Sequence, residues 1–429
     1  MKQSEVAKRR AMLSINMTFL LSILGGIGIG VNSFCTSTLT ELLARGLSMD
    51  DGEAGFWVGM VATGFGITYC ISPVILGHLS DRIGRRASLA CAMLGFAATN
   101  VVVFFLAAAP IHLVVANVFT GLCYGLFWPP IEAYLSEMTE YISQKLHARS
   151  LSIYLVCWSI GLTVGPFVGS VFDAAGGVRY GFVMLAAVAV IAMLLALKFV
   201  FAKGDVAAFK AESVKVDVVI SDRINRAKGR YLVYLKVAIA FSAIYFAFTN
   251  QILQRIFPAL AKQGYMNQGM LFASWDPSLT AGTLIFFLGI GRTLTLWHAG
   301  VMSAKAREQM LLGFAIGIPV ANLFIYLFPV ADALLVSFTV YGLFNGYAYC
   351  IGIILLMELS KTGKGLRAGV YEAAIGIGFL ASTFTSGIVI PIDPSLPFLL
   401  GTLVATCLTT VLLVMFYLSK SPRQITFRA

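Results

Sequence analysis

The chain consists of long apolar blocks separated by short polar segments, and twelve such blocks occur in its 429 residues. A helix needs about 20 apolar residues to cross the ~30 Å hydrocarbon core of a membrane. None of the blocks shows the alternation of apolar and polar positions over about 10 residues that is typical of a barrel strand. The pattern therefore predicts an all-α integral membrane protein with twelve transmembrane helices. The predicted spans, numbered 1 to 12 in chain order, cover residues 11–35, 54–79, 86–108, 111–138, 148–172, 179–201, 232–260, 278–298, 309–329, 332–358, 366–391 and 396–419.

Composition agrees with this pattern. Hydrophobic residues make up 59% of the chain and charged residues 12%, whereas an average soluble domain carries about 25% charged residues. A surface so poor in charge excludes a soluble globular protein. The first apolar block runs past Asn32 and is longer than the apolar core of a cleavable signal peptide, about 7–15 residues. We therefore expect it to be a retained first helix.

The formal charge of +11 predicts membrane topology rather than nucleic-acid binding. An even number of spans places both termini on one side, and 27 of the 31 Lys and Arg residues fall on that side. By the positive-inside rule, both termini are predicted to be cytoplasmic, in the inner (plasma) membrane of a cell. The acidic hairpin Asp50, Asp51 and Glu53 then faces outward. No nucleic-acid partner is predicted.

The longest polar stretch, 203–230, separates six spans from six. It predicts an N-terminal bundle at 1–202, a cytoplasmic linker at 203–231 and a C-terminal bundle at 232–429. Residues 216–220 form either a short amphipathic helix on the membrane surface or part of a flexible linker. A faint repeat supports a duplicated six-plus-six transporter: Gly121, Gly125 and Glu137 of span 4 recur at one offset as Gly342, Gly346 and Glu358 of span 10.

The loop between spans 2 and 3 is the most distinctive polar segment. It reads Gly77-His78-Leu79-Ser80-Asp81-Arg82-Ile83-Gly84-Arg85-Arg86. One Asp and three Arg side chains cannot lie in hydrocarbon, so the loop must mark a membrane surface. It resembles the G-x-x-x-D-R-x-G-R-R loop of the major facilitator superfamily, a family of secondary transporters. The resemblance implies two six-helix bundles that work by alternating access.

In the resembled family, charges at these positions join the two bundles at the cytoplasmic face and separate when the site opens inward. Such a network has discrete paired and unpaired states. The alternative is that the charges only set topology. The loop between spans 8 and 9 carries no copy of the motif, so the predicted gate is asymmetric. Its members are Gly77, Asp81, Arg82, Gly84, Arg85, Arg86, Glu137, Arg149, Glu358 and Arg367.

Span 5 contains Gly161, Gly165 and Gly169 on one helix face, which allows a neighbouring helix to approach closely. Pro166 lets the helix bend. The segment resembles the antiporter signature of the same family, G-x-x-x-G-P-x-x-G-G, with Ser170 in place of the last glycine. The resemblance implies export in exchange for protons. A generic small-residue packing face is the alternative.

Two carboxyls, Glu132 of span 4 and Glu372 of span 11, lie within apolar blocks. Intramembrane carboxyls are costly, and this makes them functional candidates. We predict that one or both carry the coupling proton. The alternative places them near the cytoplasmic helix ends, paired with loop arginines.

Spans 4 and 7 carry the main substrate candidates. Trp128-Pro129-Pro130 is predicted to break span 4, which is tolerated only where the break lines a cavity or another helix. Proton-coupled exporters of the resembled family carry an Arg where this chain has Asn117, and this departure weakens that assignment. Arg255 could bind an anionic group, pair with another residue or extend to the outer surface. Arg292 is a second anion candidate, or it reaches the cytoplasmic interface. The predicted substrate-binding residues are Asn117, Tyr124, Trp128, Trp158, Asn250, Gln251, Gln254, Arg255, Arg292, Asn345 and Tyr349.

No nucleotide-binding loop, nucleophile elbow or metal-ligand spacing occurs in the sequence, so we predict neither an enzyme nor a cofactor or metal site. The sequence predicts a secondary active transporter for a small organic solute, amphipathic or anionic, driven by a proton gradient. Its expected partners are that solute and membrane lipids, and it is predicted to be monomeric. Proton-driven export is favoured, and the alternatives are uptake of an organic anion with protons or a non-transporting sensor or assembly protein.

Overall fold

The structure is a computed structural model that describes residues 2–142, 144–212, 229–358 and 364–419. Within this part of the chain, eleven helices are long and apolar enough to cross a membrane, and a bent pair of helices makes a twelfth span. The predicted all-α membrane fold is therefore confirmed. The segment 216–220 lies outside the described residues.

Eight helices make up the first six spans: α1 (Lys2–Gly46), α2 (Asp51–Tyr69), α3 (Ser72–Ile83), α4 (Arg85–Leu106), α5 (Pro110–Gly125), α6 (Trp128–Thr139), α7 (Gln144–Ala174) and α8 (Val178–Phe199). A short helix, α9 (Lys203–Glu212), follows span 6. The last six spans contain α10 (Gly229–Gln251), a π-helical segment (Ile252–Ile256), α11 (Phe257–Lys262), α12 (Pro277–Val301), α13 (Ala304–Leu327), α14 (Ala331–Glu358), α15 (Lys364–Val389) and α16 (Leu396–Ser419).

Span 2 is broken, which the hydrophobic pattern did not predict. Helices α2 and α3 differ in direction by 43°. Pro73 stands in the first turn of α3, where a missing N–H costs nothing, whereas it would interrupt a continuous helix. The sequence signal was therefore present at Pro73, although the apolar block runs through it.

Spans 4 and 7 are also interrupted. Helix α5 ends at Gly125 and α6 begins at Trp128, so the break predicted at Trp128-Pro129-Pro130 is present. In span 7, the π-helical segment Ile252–Ile256 precedes α11, and Pro258 stands in the first turn of α11. A π segment turns side chains away from regular helical positions and occurs often at functional sites.

Two seams join the first six spans to the last six: α7 packs along α12, and α2 packs along α15. Within the first six spans, α1 packs on α7 and α4 on α8, and within the last six, α12 packs on α14 and α13 on α16. Helix α9 covers the end of the first six spans, with Val206 and Phe209 buried. The division of the chain at 202 and 231 remains a prediction.

The glycines of span 5 lie against span 1. A Cβ atom at Gly165 would lie 2.8 Å from the Cα of Gly30 and from the carbonyl oxygen of Ile27. Both neighbours are backbone atoms, which cannot rotate away as a side chain can. The contact between α1 and α7 therefore depends on the absence of a side chain at this position.

We predict that Gly165→Ala lowers the stability of the folded protein by about 1–3 kcal/mol, the usual cost of overpacking a close contact. Thermal unfolding in detergent measures this change. Gly204→Ala is the matched control, because a Cβ atom there meets nothing within 4 Å and Ala is a better helix former than Gly. An equal melting temperature for both variants would show that the α1–α7 contact tolerates a methyl group.

Candidate substrate and proton site

A cavity at the centre of the molecule is lined by residues from both the first six and the last six spans. Its volume is about 30 Å³, room for about two water molecules. The two sets of spans have thus closed on one another in this conformation. Predicted residues on the wall are Trp128, Trp158, Asn250, Gln251, Gln254, Tyr349 and Glu372. Residues that the sequence reasoning missed are Ile29, Ser33, Tyr69, Leu162, Phe246, Ile375 and Phe379.

Three aromatic rings form one side of the cavity. Phe246 and Tyr349 stack with ring centres 4.5 Å apart and an interplanar angle of 20°. Trp158 of α7 lies across them, 5.2 Å from Tyr349 and 5.8 Å from Phe246. This cluster joins the first six spans to the last six and provides flat apolar surfaces suited to a ring in a ligand.

Glu372 lies on the cavity wall at the seam between α2 and α15, and it is held by two phenols. Tyr69 donates a hydrogen bond to Oε2 at 2.6 Å, and Tyr349 donates one to Oε1 at 2.9 Å. Because Tyr69 belongs to span 2 and Tyr349 to span 10, the carboxyl connects the two sets of spans. The two phenols thus provide hydrogen bonds to both oxygens of a buried carboxyl without supplying positive charge.

Glu132 lies on α6 and is buried. The Tyr154 hydroxyl faces this carboxyl, but neither carboxyl oxygen has a hydrogen bond of normal geometry with a described residue. Glu132 also lies near enough to Glu372 for their charges to interact. The salt bridges of the described side chains include neither carboxyl, so the pairing with loop arginines, the alternative considered from the sequence, is not formed in that part of the structure.

Arg255 lies in the π-helical segment with only 2% of its surface exposed. Its guanidinium carbon lies 4.3 Å from the ring centre of Phe65, and Nη1 donates to Oδ1 of Asn117 at 3.3 Å. Nε and Nη2 have no partner among the described residues. The alternative in which Arg255 reaches the outer surface is wrong, because the side chain points into the protein.

Arg292 of α12 is fully buried, so the alternative in which it reaches the cytoplasmic interface is also wrong. Nε donates to Ser159 at 2.9 Å and Nη1 to Asn250 at 3.4 Å. The guanidinium carbon lies 5.2 Å from the ring centre of Trp158, and Nη2 has no partner in the described part. Arg292 thus lies behind two residues of the cavity wall, Trp158 and Asn250.

Five predicted substrate residues do not line the cavity. Arg292 lies behind the wall residues Trp158 and Asn250, whereas Arg255 contacts Phe65 and Asn117, which do not line the cavity. The Tyr124 hydroxyl donates to the carbonyl oxygen of Gly25 at 3.1 Å, and the Asn345 amide donates to the carbonyl oxygen of Phe246 at 3.1 Å and to Tyr341 at 3.0 Å. In this conformation, Tyr124 and Asn345 hold neighbouring helices in place rather than face the cavity.

The predicted gate lies at the basic face, which we define as the end of the helices that carries the loop between spans 2 and 3. There Arg85 contacts Asp81 and pairs with Glu137 at 2.9 Å. Lys210 of α9 also pairs with Glu137, at 3.0 Å. Glu137 therefore bonds within the first six spans and to α9, and the expected network between the bundles is not formed among the described side chains. The physical reason is that α9 packs against the loop and brings Lys210 to Glu137.

The other gate residues divide into three groups. Gly84 has φ +93°, a conformation that favours glycine, and Gly77 lies close to Pro129. Arg82, Arg86 and Arg149 form no ion pair with a described residue. The side chains of Glu358 and Arg367 lie outside the described part of the structure.

We predict that Asn117→Asp stabilises the folded protein, because a carboxylate at 3.3 Å from Arg255 Nη1 supplies the missing negative charge. The change also removes the hydrogen bond that the Asn117 amide donates to the carbonyl oxygen of Leu113 at 3.2 Å, and we expect the ion pair to outweigh this loss. Hydrogen bonds between charged groups contribute about 1.5–3 kcal/mol. The midpoint of thermal unfolding in detergent is expected to rise.

Asn345→Asp is the matched control, since its amide donates two hydrogen bonds that a carboxylate cannot donate. That variant is expected to unfold at a lower temperature. A loss of stability in both variants would mean that the positive charge of Arg255 does not need a carboxylate partner at position 117.

Comparison with known proteins identifies the family. Residues 18–326 match the sequence profile of the Major Facilitator Superfamily. The chain is 26% identical over 181 residues to the "Uncharacterized MFS-type transporter YqjV" of Bacillus subtilis (strain 168), covering 40% of this chain and 41% of that protein. It is 30% identical over 128 residues to a Na(+), Li(+), K(+)/H(+) antiporter of Planococcus maritimus, covering 28% of each. These alignments span less than half the length of the curated relatives.

Among solved structures, the crystal structure of the nucleoside transporter NupG superposes with a TM-score of 0.63 at 18% identity, covering 94% of this chain and 99% of NupG. A likeness at this identity shows the shared fold alone. The profile match over most of the chain establishes that this multi-pass membrane protein belongs to the Major Facilitator Superfamily, a family of secondary transporters rather than of enzymes.

Proposed function

We propose that the chain transports a small aromatic organic anion together with protons. The observation that carries this proposal is a pair of buried guanidinium groups, Arg255 and Arg292, that have no carboxylate partner in the described part of the chain. Arg292 contacts Trp158 and Asn250 of the cavity wall. Arg255 lies one layer farther out, over Phe65, whose ring centre is 5.1 Å from that of Tyr69 on the wall. The site is thus suited to a ligand that carries both an anionic group and an aromatic ring.

The buried positive charge of the two arginines favours an anionic substrate. An unpaired cation in a dry interior is unfavourable, and an incoming anion relieves that cost. Arg255 and Arg292 also retain N–H groups without acceptors, and a guanidinium binds carboxylate or phosphonate oxygens through two parallel hydrogen bonds. Asn250 and Trp158, which contact Arg292 and line the cavity, are the groups that must shift for the anion to reach it.

The balance of charge between the two arginines and the two buried carboxyls favours coupling of the anion to protons. A carboxyl removed from water favours its neutral form. When Glu132 and Glu372 are neutral, the two guanidinium groups give the centre a net positive charge that attracts an anion. When the carboxyls lose their protons, their negative charges offset the guanidinium groups and weaken anion binding. Proton and anion therefore bind together and leave together, which is the condition for symport.

Proton-driven export is the second candidate function, and the Gly161–Ser170 segment favours it. Gly161 and Gly165 pack on span 1, the close helix approach predicted from their spacing, and the segment that contains them resembles the antiporter signature of the family. Under this candidate, proton and substrate bind in turn rather than together. Asn117 is neutral and stands where proton-coupled exporters of the resembled family carry an arginine, and this difference disfavours export.

The first test concerns anion binding. We expect that benzoate, 4-hydroxybenzoate or 3-phenylpropionate raises the melting temperature of the purified protein, and that the corresponding neutral amides do not. Arg255→Met and Arg292→Met should each weaken carboxylate binding by roughly 10- to 100-fold, as the loss of a hydrogen bond to a charged group implies.

Lys198→Met is the control for loss of one positive charge, because Lys198 lies exposed at the end of span 6. Equal affinity of the arginine variants and the parent for carboxylates would disprove the anion assignment. If the panel gives no shift at all with the parent, aromatic carboxylates are not its substrates.

The second test concerns the sign of proton coupling. In proteoliposomes, symport predicts accumulation of the labelled carboxylate when the outside is more acidic than the lumen, and antiport predicts accumulation when the lumen is more acidic. This sign does not depend on the orientation of the protein in the vesicle. Protein-free vesicles correct for diffusion of the neutral acid.

Glu132→Gln and Glu372→Gln should abolish gradient-driven accumulation while exchange of labelled for unlabelled substrate persists. Glu53→Gln, at an exposed helix start where Gln also caps well, should behave as the parent. Normal accumulation in both carboxyl variants would remove Glu132 and Glu372 from the coupling mechanism.

A further inference from the structure

The loop 263–276, which joins α11 to α12 at the end of the helices away from the basic face, carries an exposed apolar tip. Met270, Leu271 and Trp275 are 91%, 67% and 45% exposed. Residues 263–275 contain no Asp, Glu, Lys, Arg or His. Large apolar side chains exposed together, without a charge in the same segment, mark an interaction surface.

A carboxylate of span 10 fixes the shape of this tip. Asp332, in the first turn of α14, accepts hydrogen bonds from two successive backbone N–H groups, that of Met270 at 2.8 Å and that of Leu271 at 3.2 Å. Gly269 precedes them with φ +70°, and a Cβ atom there would lie 2.8 Å from the carboxyl carbon of Asp332. The glycine therefore allows the backbone to approach the carboxylate.

The base of the loop is held as firmly as its tip. The backbone N–H of Asn267 donates to the carbonyl oxygen of Pro329 at 3.0 Å, and its carbonyl oxygen accepts from the N–H of Ala331 at 2.8 Å. Met266 and Phe272, on either side of the tip, are buried. Because the loop is anchored and buries some of its apolar side chains, the exposure of the others is a property of its folded shape.

The tip lies above the lipid-facing side of span 10. Val336 and Val340 follow Asp332 at intervals of four residues on α14, so the three share one helix face, and both valines are exposed. In the hydrocarbon region, which holds no water, such exposed apolar side chains contact lipid. Phe328, also exposed, stands beside the Pro329 contact at the end of α13. The apolar tip thus continues a lipid-facing surface.

We propose that the loop 263–276 inserts Met270, Leu271 and Trp275 into the headgroup region of the nearer membrane leaflet, and that Asp332 positions them there. A Trp side chain suits this region because its ring is apolar while its N–H needs a polar partner. Met270 and Leu271 add apolar surface that gains from leaving water. The partner of the tip is therefore a lipid surface.

The test locates the tip relative to the bilayer. A nitroxide label at M270C is placed in protein whose native cysteines are replaced by alanine, reconstituted in vesicles of phosphatidylcholine and phosphatidylglycerol. Its relaxation is measured with oxygen, which concentrates in hydrocarbon, and with a nickel complex, which stays in water. We expect the effect of oxygen to exceed that of the nickel complex at M270C, as at the lipid-facing reference V336C.

L47C is the matched control. Leu47 is a half-exposed apolar residue in the loop between spans 1 and 2, close to exposed Asp50, and the bond from Gln263 to the carbonyl oxygen of Asp51 shows that this loop lies at the same end of the helices. The nickel complex should have the greater effect there. A greater effect of the nickel complex at M270C as well would overturn the insertion, and the apolar tip would then be a surface for another protein in water.

Trp275→Phe gives a second measurement that needs no replacement of cysteines. The fluorescence lost in this variant is that of Trp275. We expect this difference to be smaller in vesicles whose phosphatidylcholine carries bromine near the headgroup end of its acyl chains than in vesicles without bromine, since bromine quenches a nearby Trp. An equal difference in the two kinds of vesicle would also overturn the insertion.

Asp332→Ala tests the positioning role. The two N–H groups of the tip lose their acceptor, so the label at M270C should gain mobility and respond more strongly to the nickel complex. Asp393→Ala is the matched control, because the Asp393 carboxylate accepts from the N–H of Ser395 at 2.7 Å in the segment between α15 and α16, and it should leave the label unchanged. An unaltered label in Asp332→Ala would refute the role of Asp332. These measurements need no substrate, so their outcome is separate from that of the proposed anion transport.

Discussion

Uncompensated positive charge in a dry protein interior is the constraint on which the centre of this molecule depends. Within a membrane, every polar group must find its partner inside the protein. Arg255 and Arg292 find only neutral oxygens and aromatic faces, each contributed in part by the first six spans. The same contacts that make the charges tolerable also hold the two sets of spans together. A ligand that supplies a full negative charge therefore competes directly with the closed conformation, and binding is linked to rearrangement.

The broken helices place these groups. A regular helix at span 7 would direct Arg255 elsewhere, whereas the π-helical segment Ile252–Ile256 carries it inward. The break in span 4 puts Trp128 and Glu132 at the start of a new helix, and the break in span 2 follows Tyr69, which donates to Glu372. Each interruption precedes a proline that fits the first helical turn. Arg255, Glu132 and the Tyr69 phenol that binds Glu372 therefore all lie at helix interruptions, whereas Arg292 and Glu372 themselves lie on continuous helices.

Sequence reasoning reached the fold and many of the wall residues because both rest on local rules. Apolar block length predicts spans, and the cost of charge in hydrocarbon singles out Glu132, Glu372 and Arg255 without knowledge of their neighbours. The hydrogen-bond partners of these side chains could not be predicted in the same way. The bond from Tyr69 to Glu372 joins residues that are 303 positions apart and depends on a bend in span 2 that block length does not reveal. The sequence alone does not decide whether Arg292 reaches the cytoplasmic interface, since its depth depends on how far α12 extends toward Val301.

The location of ionic contacts also follows from the way in which helices end. At the basic face, α9 lies against the loop between spans 2 and 3 and gives Glu137 a cation from its own side. At the end of the helices away from the basic face, α11 ends with Lys262 beside the buried carboxylates of Glu41 and Asp173, which belong to the first six spans. Only seven positions separate Lys262 from Arg255, and α11 fills most of that interval. Arg255 and Lys262 are therefore carried by one short stretch of span 7, which reaches from the centre of the molecule to the end of the helices.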